Sequence, residues 1–290
     1  MRASFWVAAS LILLSAGPSL NAQGSGSAAQ APGQPNTGNS VQQALLDSVL
    51  KSWEVDAKTL QSLFVVFRIE EKGDPFNKNA VTASHGEARV LKMPNGQYGL
   101  KLEIFPLDRN GQPDRNNVKE KYIFTGSLLY TFDFSSKIIT FRKLGNQNMR
   151  PDDGPFAFLL GMKANDARKR FTMSISQDDP KTLWFKIVPL TPQDQRDFVV
   201  AQLGIDKIAA PGAPKNFPSR IMWREPGGKE LSWEFKSVFR NDPNKVAATD
   251  FSVENEKKQG WQEREAPSLG ASGPNTSPGV PTKDNGTPRK

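Results

Sequence analysis

The 290-residue sequence contains no cysteine and only one histidine, His85. Without cysteine there is no disulfide, no thiolate metal ligand and no lipid-modified cysteine behind a leader. Stability must therefore come from an ordinary core. A single histidine excludes a multi-histidine metal site, and no serine or acid near His85 makes a nucleophile elbow with it. His85 reads as a polar residue at a strand end. Phosphate-binding glycine loops and dinucleotide fingerprints are missing too. No metal or cofactor is expected, and no residue stands out as catalytic. No apolar run reaches the roughly 20 residues of a membrane-spanning helix, so no transmembrane segment is expected in a mature chain.

What is present begins with the ends. Arg2 precedes an apolar run, Phe5 to Leu14, broken by Gly17-Pro18 and followed by the small residue Ala22. This is the pattern of a secretory signal over residues 1–22, and it places the chain in the periplasm or cell envelope. Residues 23–40 are Gly, Ser, Ala, Gln, Pro and Asn, the composition of a flexible linker, and 263–290 form a polar tail with too little apolar surface to fold. Between them, 41–262 is the size of one domain with a sizeable core. The net charge of +8 suits anionic lipid or an acidic polymer. Nucleic acid is the weakest fit and is not expected, because no Lys/Arg block is long. The densest basic cluster, Arg168-Lys169-Arg170, reads as cations offsetting a helix C-terminus.

Hydrophobic spacing supplies the fold class. Val41, Leu45, Val49 and Trp53 recur at helical spacing, with Leu46 and Leu50 widening the stripe and Ser40 as a candidate N-cap. The period then becomes two. Leu63, Val65, Phe67 and Ile69 alternate with Phe64, Val66 and Arg68, so this strand is apolar on both faces. Glu87–Met93 and Tyr98–Phe105 flank Pro94-Asn95-Gly96 as a hairpin. Further strands are expected over Glu120–Phe124, Leu128–Phe134, Ile138–Leu144, Phe171–Ser176, Leu183–Val188 and Phe198–Ile205. The last hairpin, Ile221–Glu225 and Lys229–Phe239, turns at Pro226-Gly227-Gly228. A helical insert is expected within Arg150 to Arg170, with Phe156, Leu159 and Leu160 on one face. Roughly ten strands without a βαβ rhythm predict a mainly β (α+β), antiparallel sheet curled toward a barrel.

Three acidic pairs, Glu70-Glu71, Asp152-Asp153 and Asp178-Asp179, could in principle serve acid–base chemistry or calcium. Each stands at an element boundary beside Gly or Pro, and neighbouring strand residues point to opposite faces. A hydrolase would show itself by activity lost in Asp152→Asn or Asp178→Asn. The aromatic residues carry more information, with 18 Phe, 6 Trp and 3 Tyr distributed over strands that are apolar on both faces. They either fill a large core or, under a loosely fitting helix, line an apolar pocket. The candidates for such a pocket are Phe67, Leu100, Leu102, Phe132, Phe156, Leu159, Leu160 and Trp233. The two outcomes correspond to a non-enzymatic binding protein for an apolar ligand and to a structural or interaction protein of the envelope.

The element order, with LQSLFVVFRIEEK (60–72), GEARVLKMPNGQYGLKLEIF (86–105), FTGSLLYTFDFSSKIITFRKL (124–144) and the closing KELSWEFKSVF (229–239), resembles the LolA/LolB-like lipoprotein carriers. That resemblance implies an unclosed antiparallel β-barrel with an N-terminal helix and a helical lid over an apolar cavity. It also implies a lipid or lipoprotein acyl chain as ligand and an envelope protein as partner. More narrowly, FAFLLGMKANDARKRF (156–171) and Gly260-Trp261 resemble an uncharacterised group of exported planctomycete proteins. In the carriers, an arginine just before the proline of the hairpin turn links barrel to lid. Here Met93 occupies that place and Lys92 lies one residue earlier, so these two are the candidates for lid contact.

Overall fold

Alternation along one strand organises the molecule. In the computed structural model, which describes residues 37–74, 77–143, 164–209 and 213–266, Leu63, Val65, Phe67 and Ile69 of the first strand enter one core. Phe64 and Val66 enter another on the opposite face. The sheet therefore carries two apolar layers, which is why neither face of this strand is polar at its start.

The chain opens with helix α1 (Thr37–Lys58), then β1 (Ser62–Asp74), β2 (Asn77–Lys92), β3 (Tyr98–Pro106), β4 (Glu120–Phe124), β5 (Leu128–Asp133) and β6 (Ile138–Lys143). Helix α2 (Ala164–Arg170) leads into β7 (Phe171–Asp178), β8 (Thr182–Pro189), α3 (Pro192–Asp197), β9 (Val200–Asp206), β10 (Pro218–Arg224) and β11 (Glu230–Arg240). A 3₁₀ turn (Ala248–Phe251), α4 (Glu254–Lys258) and β12 (Gln262–Glu265) finish it. All twelve strands lie in one sheet, in the order β12-β6-β5-β4-β3-β2-β1-β11-β10-β9-β8-β7. The outermost strands, β12 and β7, do not pair, so the barrel is unclosed. The fold is mainly β, as the spacing predicts.

We call the face against α1 inner. Leu46, Val49, Leu50 and Trp53 of α1 belong to a single core cluster with residues from Leu129 on β5 across to Phe171 on β7. Helix α1 packs against β7 at one end of the strand order, and the cluster continues from there through the intervening strands to Leu129. The outer face of β1–β6 is covered by the C-terminal segment. Phe251 and Val253 pack there on Phe64, Ile123 and Ile139, and Trp261 meets Phe132 and Phe134 edge-on at 5.6 and 5.2 Å.

Several boundaries differ from expectation. α1 begins at Thr37, so Ser40 lies within it rather than capping it, and the linker ends earlier than 40. Its buried stripe is Leu46, Val49, Leu50 and Trp53, whereas Val41 and Leu45 are exposed. β12 occupies the start of the stretch read as tail. It pairs parallel to β6, the one parallel pairing among the described strands, and a four-residue polar strand (QERE) is silent in a hydrophobicity pattern. Phe156, Leu159, Leu160 and Asp152-Asp153 lie outside the described residues. The hairpin at Pro94-Asn95-Gly96 closes as expected, with the Met93 amide donating to Gln97 O at 2.7 Å and Gly96 at φ 78°.

The basic cluster ends α2, where its charges meet the macrodipole. Arg168 pairs with Asp47 of α1, and Arg170 holds the buried Asp194 at 2.5 Å. Asp194 also accepts from the Thr191 hydroxyl that caps α3. Burial, then the Asp194 charge, push the neighbouring Asp197 carboxyl up to about 6, against Arg170 and Arg196. The folded chain thus holds the Asp197 proton more tightly than the unfolded chain does. Stability from this group falls as pH rises from about 4 to 6 and stays reduced above that. Asp197→Asn should therefore raise the melting temperature at pH 8 and leave it unchanged at pH 3.5, a comparison open to thermal denaturation. An equal shift at both pH values would contradict the assignment.

Candidate functional site

The expected pocket residues divide between the two faces. Phe67, Leu102 and Trp233 are all on the inner face and fully buried, with Leu100 partly buried beside them. The Phe67 ring stacks on Trp233 at 4.5 Å and meets Phe235 edge-on at 6.5 Å. These side chains fill the middle of the inner face. Phe132 is not among them. Its neighbour across the sheet is Ile139, and it packs with the outer-face cluster. The sequence shows that Tyr130 and Phe132 share one face of β5 and that Leu129 lies on the other, but not which of these faces meets α1.

Lys92 and Met93 also part company. Val90 lies inner and Leu91 outer, so by alternation Lys92 projects inward at the sheet's end, where it is exposed. Met93 packs outward, with its Cε above Gly99 beside Phe251. The residue at the carriers' arginine place therefore packs with the C-terminal cap, while the residues expected to form the lid lie outside the described ones.

Open space lies elsewhere on the inner face. A cavity of about 440 Å³ sits between the first half of α1 and the ends of β8 and β9. Its apolar wall is Leu45 and Val49 from α1, Leu183 and Ile205 from the strands, and Ala209 and Ala213 from the connection between β9 and β10. Leu45 stands at the margin of the buried stripe of α1 and is itself exposed. On the far side the chain is pinned to α1. Asn216, at φ 62°, accepts from the Trp53 indole at 2.7 Å and donates to Ser52 Oγ at 3.0 Å. Asp178, Asp206, Lys207 and Lys215 edge the opening. Spacing marks none of these residues as belonging to a cavity. Ala209 and Ala213 line the space with side chains too short to fill it.

A second depression, on the outer face of β1 and β9–β11, measures about 420 Å³ and is lined by charged side chains. Three pairs of those charges meet each other: Arg68 with Glu70 at 3.0 Å, Arg224 with Glu230 at 3.0 Å and Arg220 with Glu234 at 3.4 Å. Lys72 is in no ion pair among the described residues, and the buried Arg68 Nε has no hydrogen-bond partner among them. Two of the three acidic pairs, Glu70-Glu71 and Asp178-Asp179, likewise have structural occupations. Glu71 pairs with Lys229 at 2.9 Å, and Asp179 accepts the Lys181 and Thr182 amides in the β7–β8 turn. Asp178 pairs with Lys207 at 2.7 Å. His85 lies half-buried on the outer side of β2, its pKa held below the usual value by burial. No group of three or more His, Cys, Asp or Glu is placed to hold a metal among the described residues. No described helix is long and apolar enough to cross a membrane.

No family model and no curated protein matches the chain. Among solved structures it is similar to an uncharacterised conserved protein of Thermus thermophilus, at 11% identity and TM-score 0.40, covering 78% of this chain and 100% of the other. It is also similar to a DUF1329 family protein from Desulfovibrio piger, at 8% identity and TM-score 0.40, covering 74% and 98%. A third is a domain assigned to outer membrane lipoprotein sorting from Vibrio parahaemolyticus, at 9% identity and TM-score 0.35, covering 73% and 97%. At these identities and scores nothing about ligand, partner or activity transfers from them to this chain.

Proposed function

We propose that the protein is an exported, non-enzymatic binding protein that holds a lipid or acyl chain in the cavity beneath α1. The observation that carries this reading is the apolar-walled space of about 440 Å³, within the range of roughly 300–1,000 Å³ typical of ligand sites. It lies on the same face as the packed pair Phe67 and Trp233. Each methylene moved from water into such a wall contributes about 0.8 kcal/mol, so a chain of moderate length binds without any catalytic or metal centre. The reading agrees with the fold that the carrier resemblance implies, but moves the ligand away from Phe67, Leu102 and Trp233. The signal over residues 1–22, the envelope location and kinship with the exported planctomycete group belong to the same proposal.

A structural or interaction role in the envelope is the second reading. The packed centre of the inner face, where Phe67 and Trp233 are at 0% and 1% exposure, favours it. Native mass spectrometry of protein isolated from its own envelope separates the two. The binding reading expects a bound apolar molecule on the wild-type chain and its loss in Ala213→Phe, which fills the wall, with thermal stability retained. An unliganded chain that captures no lipid but keeps a protein partner would overturn it.

A further inference from the structure

The edge of the cavity narrows the ligand class, resting on the reading just given. We propose that the site takes a single-chain anionic amphiphile, its tail against Leu45, Val49, Leu183 and Ile205 and its headgroup at Lys215. Size supplies the first argument. A methylene is comparable to a water molecule, whose share of liquid volume is roughly 30 Å³, so the cavity of about 440 Å³ holds one chain. Two or three chains on one headgroup would need about two or three times that volume. The ligand is therefore a single-tailed molecule and not a multiply acylated one.

Charge supplies the second argument. Of the four ionic side chains at the edge, Lys207 is already paired with Asp178 at 2.7 Å. Asp206 accepts from the Thr182 hydroxyl at 3.0 Å. Lys215 has no carboxylate within ion-pair distance among the described residues, so it is the one edge cation left to meet an anion. It is exposed, where a headgroup would remain in contact with water, and it directly precedes Asn216. That residue's two hydrogen bonds to α1 fix the backbone from which the lysine reaches. Chain and charge are thus recognised by adjoining parts of one wall. A carboxylate and a phosphate monoester share this chemistry, and a free fatty acid or a lysophospholipid could supply it.

Competitive displacement of a fluorescent apolar probe from the full-length protein tests the proposal, using dodecanol, dodecanoate and dodecyl phosphate below their micelle concentrations. Dodecanoate or dodecyl phosphate should bind severalfold more tightly than dodecanol, up to about fivefold, the worth of one ion pair at an exposed edge. Lys215→Met should abolish the difference between the anions and dodecanol, and Lys215→Arg should retain it. Preference for dodecanoate over dodecyl phosphate points to a fatty acid, and the reverse to a phosphorylated amphiphile. Equal affinities for all three in the wild type, or a difference that survives Lys215→Met, would overturn the anionic-headgroup proposal with the cavity reading intact. Failure of dodecanol itself to bind would overturn both.

Discussion

Gly86→Ala is expected to lower stability by about 1–3 kcal/mol, the range for forcing an added methyl into a packed core. Gly86 faces Phe67 across the β1–β2 pair. A Cβ there would overlap Cε2 and Cζ of the Phe67 ring, far inside any contact distance that real side chains show. The ring cannot retreat, because it is at 0% exposure and stacked on Trp233 at 4.5 Å. The glycine is thus the seat of the aromatic pair that fills the inner face. Gly227→Ala is the matched control, since a Cβ at 227 meets nothing within 4 Å. In urea denaturation Gly86→Ala should shift the midpoint down clearly and Gly227→Ala little. Equal midpoints would mean that Phe67 is not held where the structure places it.

Arg89→Met should have a comparable or larger effect through the outer face. Beneath the C-terminal cap, Arg89 reaches Glu87 at 3.1 Å, Glu103 at 3.4 Å and Asp250 at 3.9 Å, and lies 4.7 Å from the Phe64 ring centre. Glu87 is itself buried and shared with Arg115, while Lys101 and Lys121 also pair with Glu103. Lys121 in turn meets Glu256 of α4. Removing one member of a buried ion pair typically costs roughly 3–5 kcal/mol because the other charge is left without compensation. The remaining lysines and Arg115 place this case at the low end, about 3 kcal/mol. Adding Glu87→Leu to Arg89→Met should recover much of that loss, since the two charges then leave together. A change in Trp261 fluorescence should accompany the single substitution, because Asp250 and Trp261 lie on the same covering segment. A single variant as stable as wild type would show that the charges under the cap are not coupled to its docking.

The predictability of this molecule follows the range of each interaction. Strand alternation is local, so Leu231, Trp233 and Phe235 separate from Glu230, Ser232 and Glu234 in the sequence as they do in β11. Hairpin turns are local too, and both proline-glycine turns form where expected. What is not legible depends on which distant element lands on a face. Phe132 looks equivalent to Leu102 until Trp261, far along the chain, claims it for the outer side. Glu87, Arg89, Lys101 and Glu103 alternate like a solvent-facing row. They are covered only because residues 246–261 fold back over them. The cavity is hidden for a related reason. Spacing reports where apolar side chains are, whereas a cavity is set by which distant elements meet around it, here α1, the ends of β8 and β9, and the small residues Ala209 and Ala213. Sequence residues that suggest a pocket, Phe67 and Trp233 above all, are large enough to fill the space themselves.

The most direct test of the central claim is methyl NMR on protein with labelled Leu, Val and Ile side chains, titrated with dodecanol. Leu45, Val49, Leu183 and Ile205 should shift with added alcohol, while Val90 and Leu102, packed in the filled middle of the same face, should not. Shifts centred on Val90, Leu100 and Leu102, or no shift anywhere, would contradict a ligand site beneath the first half of α1.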